Sequence, residues 1–147
     1  MPIQKVLGYS FLNKDLLNRA LTRRAYALEL KQQKRDCEDQ EIFRVLGDAV
    51  LKVVLVDLLI KSGCKTREEI TTKKQKLERE EALAKIAQKL AIGPFIKLGI
   101  GEKKQKANEE PKVLAETLEA IIGAIYFDGA YDTVKGVIAK WYKNLLI

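Results

Sequence analysis

The stretch EIFRVLGDAVLKVVLVDLLI, residues 41–60, predicts the central helix of an all-helical fold. From Ala49 to Ile60 its apolar residues fall on nearly every side of a helix, which is typical of a helix buried within a domain. Gly63 suits the position just after a helix end, so we expect this helix to span roughly residues 40–62. Its apolar run is too short to cross a bilayer.

Helical patterns continue on both sides of this stretch, with start and stop signals between them. In chain order the signals are Asn13 as the cap of a helix through residues 14–28, Thr66 with Glu69 as a capping box, Gly93-Pro94 as a stop, Pro111 as a start and Asp128-Gly129 as a turn. Residues 95–110 are rich in Gly and Lys and are predicted to form a mobile surface loop. No stretch alternates as a strand does, so we expect one all-α domain over residues 1–147.

Composition narrows the kind of chemistry and the cellular location. The chain has no histidine, which excludes histidine-based triads and most zinc sites, so hydrolysis here requires carboxylates, lysines and a hard metal ion. Its net charge of +7 attracts polyanions such as nucleic acid. Two cysteines outside any metal-type pair and an N-terminus unlike a signal peptide indicate a cytoplasmic protein without a membrane segment.

Two predicted helices carry charged side chains at three- and four-residue spacing. The first set is Glu41, Arg44, Asp48 and Lys52, and the second is Glu116 and Glu119, with Gly123 on the same face. A glycine there allows another helix to approach closely. Spacing alone favours a ladder of ion pairs within one helix. A carboxylate near a core, however, needs a cation or a metal as its partner, so acids of both helices are candidates for a shared divalent-ion site.

These segments resemble the two sequence signatures of the ribonuclease III family. The first, usually Glu-x-x-Glu-Phe-Leu-Gly-Asp-Ala-Val-Leu, stands here as EIFRVLGDAVL, residues 41–51. The second, usually Ala-Asp-x-x-Glu-Ala-x-Ile-Gly-Ala-Ile-Tyr-x-Asp-Gly, stands here as AETLEAIIGAIYFDG, residues 115–129. The resemblance implies a ribonuclease III-type helical endonuclease domain that forms a homodimer and cuts double-stranded RNA. It further suggests a compact, stand-alone form without a double-stranded-RNA-binding domain.

The same resemblance implies which acids hold the metal. Asp48 and Glu119 match the two central, catalytic ligands, with Glu116 and Glu41 in support and Glu68 as a further family glutamate. The implied cofactor is Mg²⁺, with Mn²⁺ as a substitute, because magnesium prefers carboxylate oxygens and keeps several waters.

One position departs from the family pattern in charge. Arg44 stands where the family has the second glutamate of the first signature, one helical turn from Asp48. We expect its guanidinium to satisfy the neighbouring carboxylates itself and to weaken metal binding. Glu116 in place of an aspartate keeps the charge and is the milder change.

Function therefore stays open between alternatives at this point. One is a metal-dependent nuclease for structured RNA, and another is a non-catalytic relative that binds structured RNA or a ribonucleoprotein partner; a helical dimerisation module without an RNA role is the third. Candidate RNA-phosphate contacts, which are also compatible with an ordinary solvated surface, are Lys73, Lys74, Lys76, Lys103 and Lys104.

Overall fold

Helices account for nearly all regular structure in the computed structural model, which describes residues 2–146. In chain order they are α1 (Pro2–Leu7), α2 (Lys14–Ala20), α3 (Arg24–Gln32), α4 (Glu41–Lys61), α5 (Arg67–Glu78), α6 (Glu80–Lys89), α7 (Ile100–Lys104) and α8 (Pro111–Trp141). Single 3-10 turns lie at Gly93–Phe95 and Ala107–Glu109. Within residues 2–146 there is no strand, only an isolated bridge between Thr22 and Lys97. The all-α prediction is confirmed.

The core is built around α4 and α8, which pack against each other along much of their length. Leu51 and Leu55 of α4 and Leu118 and Ile121 of α8 are at most 1% exposed. Full burial of side chains of this size stabilises the fold by about 1.5–3 kcal/mol each. None of the helices described is both long enough and apolar enough to cross a membrane.

Two glycines bring the backbones of α4 and α8 into contact. A Cβ atom at Gly47 would lie 1.7 Å from the carbonyl oxygen of Glu119, and one at Gly123 would lie 2.3 Å from that of Phe43. Any side chain at either position would force the helices apart, so the close approach expected at Gly123 is confirmed. This crossing places Asp48, the neighbour of Gly47, beside Glu119, one turn before Gly123.

One face of α4 is exposed, which corrects the expectation that this helix is buried on all sides. The exposed residues recur at helical spacing along one stripe: Ile42 at 62%, Val45 at 75%, Val53 at 52% and Ile60 at 55% exposure. An apolar pattern indicates that a helix face is buried, but it does not tell whether that face packs inside the same chain or against a partner. An apolar stripe of this length on a monomer is typical of an interaction surface.

Several predicted boundaries were wrong. The helix expected through residues 14–28 is divided at Thr22, because the chain there leaves the helix to pair with Lys97 on both sides: Arg23 N donates to Lys97 O, and Lys97 N donates to Leu21 O. The helix expected after Thr66 is likewise interrupted, by extended backbone at Arg79 between α5 and α6. The first break could not be predicted from local periodicity, because it is caused by tertiary pairing with Lys97.

The region from residue 95 to 110, predicted as a loop, contains α7 and a 3-10 turn. It is anchored by Ile96 and Leu98, which are 7% and 5% exposed. The turn expected at Asp128-Gly129 falls one residue later, where Ala130 has a φ of 67° and interrupts α8. The Asp128 carboxylate accepts hydrogen bonds from the backbone N–H groups of Leu12 and Asn13 instead.

Candidate active site

The inner part of the candidate site is the pair of carboxyl groups on Asp48 and Glu119. They lie within hydrogen-bonding range of each other. Burial and the facing Asp48 carboxylate raise the pKa of Glu119 to about 7. Burial alone would raise the pKa of Asp48, but hydrogen bonds from Lys52 and Glu119 outweigh it and lower that pKa. Asp48 therefore carries the negative charge, and Glu119 holds the proton below neutral pH.

Two lysines surround this inner pair. Lys52 Nζ donates to Asp48 Oδ1 at 2.8 Å and lies 3.7 Å from Glu78 Oε2. Lys74 Nζ donates to both oxygens of Glu78, at 3.1 and 3.2 Å, and its charge helps to lower the pKa of Asp48. Glu78 on α5 was not predicted as part of the site. Its role depends on how α5 docks beside α4, and no sequence signal identifies it.

Arg44 occupies the outer part of the site. Its Nη1 donates to Glu41 Oε2 and its Nη2 donates to Glu116 Oε2, both at 2.5 Å. The guanidinium also helps to lower the pKa of Glu119, although burial and Asp48 dominate there. Its Nε atom is buried and has no hydrogen-bond partner. Arg44 thus makes the contacts with acids that its position predicted.

Glu116 is held by a second arginine as well. Arg23 Nη1 donates to Glu116 Oε1 at 3.0 Å and to Gln40 Oε1 at 3.1 Å, and Arg23 Nε donates to Glu102 Oε2 at 3.1 Å. Both carboxylate oxygens of Glu116 therefore accept from guanidinium groups. Arg23 and Glu102 are 79 residues apart, so sequence spacing could not associate them with this site.

The acids expected to form one ligand set are divided into two pairs. Asp48 and Glu119 face each other, whereas Glu41 and Glu116 are bonded to Arg44. Glu68 stands apart: its side chain is 76% exposed and pairs with Arg67. Over residues 2–146 no group of three or more acidic, cysteine or histidine side chains is arranged to hold a metal.

The inner pair nevertheless fits one Mg²⁺ ion. Burial, and after it the facing carboxylate of Asp48, make a negative charge on Glu119 unfavourable, so its pKa is raised and it keeps a proton. A divalent cation would neutralise both groups in place of that proton. Magnesium is commonly bound by one or two carboxylates and keeps its remaining waters. The outer acids do not fit such an ion while Arg44 bonds to them.

The raised pKa of Glu119 predicts how the stability of the metal-free protein depends on pH. The folded state binds this proton more tightly than the unfolded state does. The contribution of protonated Glu119 to the free energy of unfolding is therefore complete below pH 4.5 and is lost as pH rises through about 7. We expect Glu119→Gln to reduce that loss, as measured by urea unfolding in EDTA across this range. The chain has no histidine to obscure the effect. An unchanged pH slope in the variant would contradict the shared proton.

The lysines predicted to contact RNA do not form one cluster of contacts. Lys74 lies beside the inner pair, and Lys73 pairs with Glu69 at 3.5 Å. Lys76 faces a different cleft, on the other side of α5. Lys103 and Lys104 are exposed on α7, the helix that also carries Glu102. Of the five lysines predicted to contact RNA, only Lys74 lies beside the acids.

Comparison with known proteins gives one consistent family. Residues 13–146 match the family model described as Ribonuclease-III-like. Ribonuclease 3 from Buchnera aphidicola subsp. Baizongia pistaciae is 36% identical over 145 residues, which cover 98% of this chain and 60% of that protein. Ribonuclease 3 from Pseudothermotoga lettingae is 36% identical over 92% of this chain and 58% of its own length. The chain thus spans about 60% of the length of these curated relatives.

Solved structures agree with this assignment over the whole fold. The nuclease domain of ribonuclease III from Campylobacter jejuni, described for structural flexibility in a region involved in dimer formation, superimposes with a TM-score of 0.86 at 31% identity, covering 99% of this chain and 97% of that one. A second structure of that nuclease domain gives a TM-score of 0.84 at 30% identity, with 97% and 92% of the two chains covered.

Proposed function

The chain belongs to the ribonuclease III-like family, and from this premise we propose that it hydrolyses phosphodiester bonds of double-stranded or structured RNA with Mg²⁺ or Mn²⁺. The observation that carries the proposal is the meeting of Asp48 and Glu119 across the α4–α8 crossing. Two carboxyl groups close enough to share a proton are a suitable ligand pair for a hard divalent ion. The reaction and substrate of the longer relatives are transferred to this chain only as this proposal.

Each side chain of the inner pair has a separate part in the proposed reaction. A bound Mg²⁺ supplies Lewis acidity, which lowers the pKa of a coordinated water and neutralises charge on the phosphate. Asp48 is already ionised and would hold the ion. Glu119 would hold it only in the deprotonated form, so cleavage is expected to rise with pH through about 7. Lys52 has to give up its bond to Asp48 Oδ1 and becomes free to contact phosphate.

Arg44 attenuates this activity in our proposal. It neutralises Glu41 and Glu116, which leaves two of the four expected acids for the metal. It also places a permanent positive charge beside Glu119, which repels a divalent cation. The same contacts favour the second candidate function, a relative that binds structured RNA or a ribonucleoprotein partner without cutting it.

Binding of duplex RNA is proposed to use the half-buried Lys74, which lies beside the acids, and the exposed lysines Lys73, Lys103 and Lys104 farther from them. Lysines contact phosphates without reading sequence, so recognition of A-form shape is expected. Affinity should fall steeply with salt, because counterions are released on binding. A cytoplasmic location is part of this proposal and agrees with the free thiols of Cys37 and Cys64.

A single set of incubations tests the function. Uniform duplex RNA is incubated with the protein in Mg²⁺, in Mn²⁺ and in EDTA, with single-stranded RNA of the same sequence as the control. Metal-dependent cleavage of the duplex alone supports the enzyme. Salt-sensitive duplex binding without cleavage in either metal supports the non-catalytic relative. Neither binding nor cleavage would refute both and leave a dimerisation module.

Homodimer formation through the exposed stripe of α4 is also proposed. Val45 lies in the middle of this stripe and is 75% exposed. We expect Val45→Asp to convert a dimer into a monomer at micromolar concentration, since a carboxylate buried in an apolar interface lacks a partner. Sedimentation velocity measures the change, with Leu28→Asp on α3, also at an exposed position, as the matched control. A dimer that persists with Val45→Asp would place the interface elsewhere.

A further inference from the structure

A cleft of about 790 Å³ lies outside the candidate active site, between α1, the α5–α6 junction and the end of α8. Its walls include six apolar side chains: Leu7, Leu77, Ile86, Leu90, Trp141 and Leu145. Trp141 is fixed there by a hydrogen bond from its indole Nε1 to the carbonyl oxygen of Leu7, at 2.9 Å. Leu145 is 51% exposed, so part of the apolar wall is open to water. The volume falls within the range of ligand-binding pockets.

Basic side chains surround these apolar walls. The six that line the cleft are Lys76, Arg79, Lys85, Lys89, Lys140 and Lys143, all exposed. Among the described residues that line the cleft, Glu81 is the one carboxylate, and it lies 3.5 Å from Lys85. Among the ion pairs of residues 2–146, none involves the other five cations. The rim therefore has a strong positive charge that is not neutralised by ion pairs within residues 2–146.

This combination favours an occupant with aliphatic and acidic groups at fixed spacing. Duplex RNA satisfies the cations but gains nothing from a concave aliphatic wall. A single RNA strand gains most from stacked aromatic rings, and the cleft has only Trp141. A flat membrane surface does not enter a concavity. An amphipathic helix inserts aliphatic side chains at i, i+3, i+4 and i+7 and carries acidic residues beside them.

We propose that this cleft docks an acidic amphipathic helix of a partner protein. The site is physically separate from the carboxyl pair, because α5 directs Lys74 and Glu78 toward the acids and Lys76 and Leu77 toward the cleft. Docking therefore does not depend on metal binding or on RNA cleavage. It gives the domain a means of recruitment to a protein complex that leaves the acids accessible.

Trp141 is the only tryptophan of the chain and reports binding directly. The probe is a synthetic helix of about 16 residues with leucines at i, i+3, i+4 and i+7 and glutamates at the flanking positions. We expect a saturable change in Trp141 emission with a dissociation constant on the order of 10 μM. A peptide with lysine in place of glutamate and one with serine in place of leucine should each bind at least about ten-fold more weakly. No saturable change with the acidic peptide, or equal binding of the lysine peptide, would overturn the proposal.

Two variants separate docking from general charge attraction. Lys89→Glu with Lys140→Glu reverses two rim charges in the last turns of α6 and α8. The matched control, Lys31→Glu with Lys104→Glu, reverses two exposed charges in the last turns of α3 and α7. The rim variant should bind the acidic peptide about ten-fold more weakly and the control should bind it normally, with circular dichroism unchanged in both. Equal weakening of peptide binding in both variants would refute a helix-specific site. The same conclusion would follow if a single-stranded RNA oligonucleotide or dodecanoate displaced the peptide with at least equal affinity.

Discussion

Glu119→Gln is expected to reduce metal-dependent cleavage of duplex RNA by about a thousand-fold. Glu119 is one of the two carboxyl groups of the inner pair, and the nearby acids are held by cations: Glu41 and Glu116 by Arg44, and Glu78 by Lys52 and Lys74. The amide keeps the size of the side chain but cannot become the anion that a hard cation requires. Loss of several kcal/mol of charge stabilisation corresponds to this factor, since each 1.36 kcal/mol is about ten-fold in rate.

The same substitution should leave the fold intact. Glu119 has a pKa of about 7 and is largely protonated in the metal-free protein below that pH, so the neutral amide resembles its resting form. Unfolding free energy at pH 6 should therefore be unchanged or higher in Glu119→Gln. If cleavage is lost while stability and duplex binding are preserved, Glu119 is required for the metal-dependent reaction and not for folding or RNA binding.

Glu78→Gln provides the matched control for this loss. Glu78 also lies near the inner pair and contacts Lys52, at 3.7 Å, but its ion pairs are with Lys52 and Lys74 rather than with a carboxyl group of that pair. Its substitution should change cleavage by less than about ten-fold. Equal activity of Glu119→Gln and the unmodified protein would mean that phosphodiester hydrolysis, if observed, takes place elsewhere on the molecule.

Sequence patterns predicted the centre of this fold better than its periphery. The buried residues of α4 recur at a helical period, and those of α8 include the continuous run from Ala120 to Ile125. Gly123 alone was enough to indicate that another helix approaches closely at that point. Both acids of the inner pair lie next to that crossing, but their pairing was predicted from the resemblance to the family signatures. The periphery depends on tertiary contacts, such as the pairing of Arg23 and Leu21 with Lys97, which no local period records.

The outer part of the site could also be predicted only in part from the sequence. Position and charge sufficed to predict that Arg44 would bind acids, because Glu41 is three residues away on the same helix. Arg23 and Glu102 belong to other segments of the chain: Arg23 bonds to Glu116, and Gln40 and Glu102 in turn bond to Arg23. Long-range ion networks of this kind need the folded geometry, since any of the 27 lysines and arginines could have been the partner.

Arg44→Glu is expected to raise the affinity for Mg²⁺ by about ten- to a hundred-fold and to raise cleavage in proportion at subsaturating metal. The change removes the cation that bonds Glu41 and Glu116 and adds a carboxylate one turn from Asp48. Changes in the groups that surround a metal site commonly alter its affinity by this factor. The measurement is the initial rate of duplex cleavage as a function of Mg²⁺ concentration, for the variant and the unmodified protein.

Stability gives an independent readout of the same change. Without metal, Arg44→Glu leaves Glu41 unpaired and gathers like charges around Asp48, so its melting temperature should fall. Added Mg²⁺ should restore more stability to the variant than to the unmodified protein, because an ion that binds only the folded state stabilises it according to its affinity. Arg44→Gln, which removes the cation without supplying an acid, should give an intermediate gain in both measurements. Identical magnesium dependence in all three proteins would show that Arg44 does not limit metal binding, and the proposal of an attenuated nuclease would be wrong. The protein would then be a fully active enzyme if it cuts the duplex, and an RNA-binding relative if it does not.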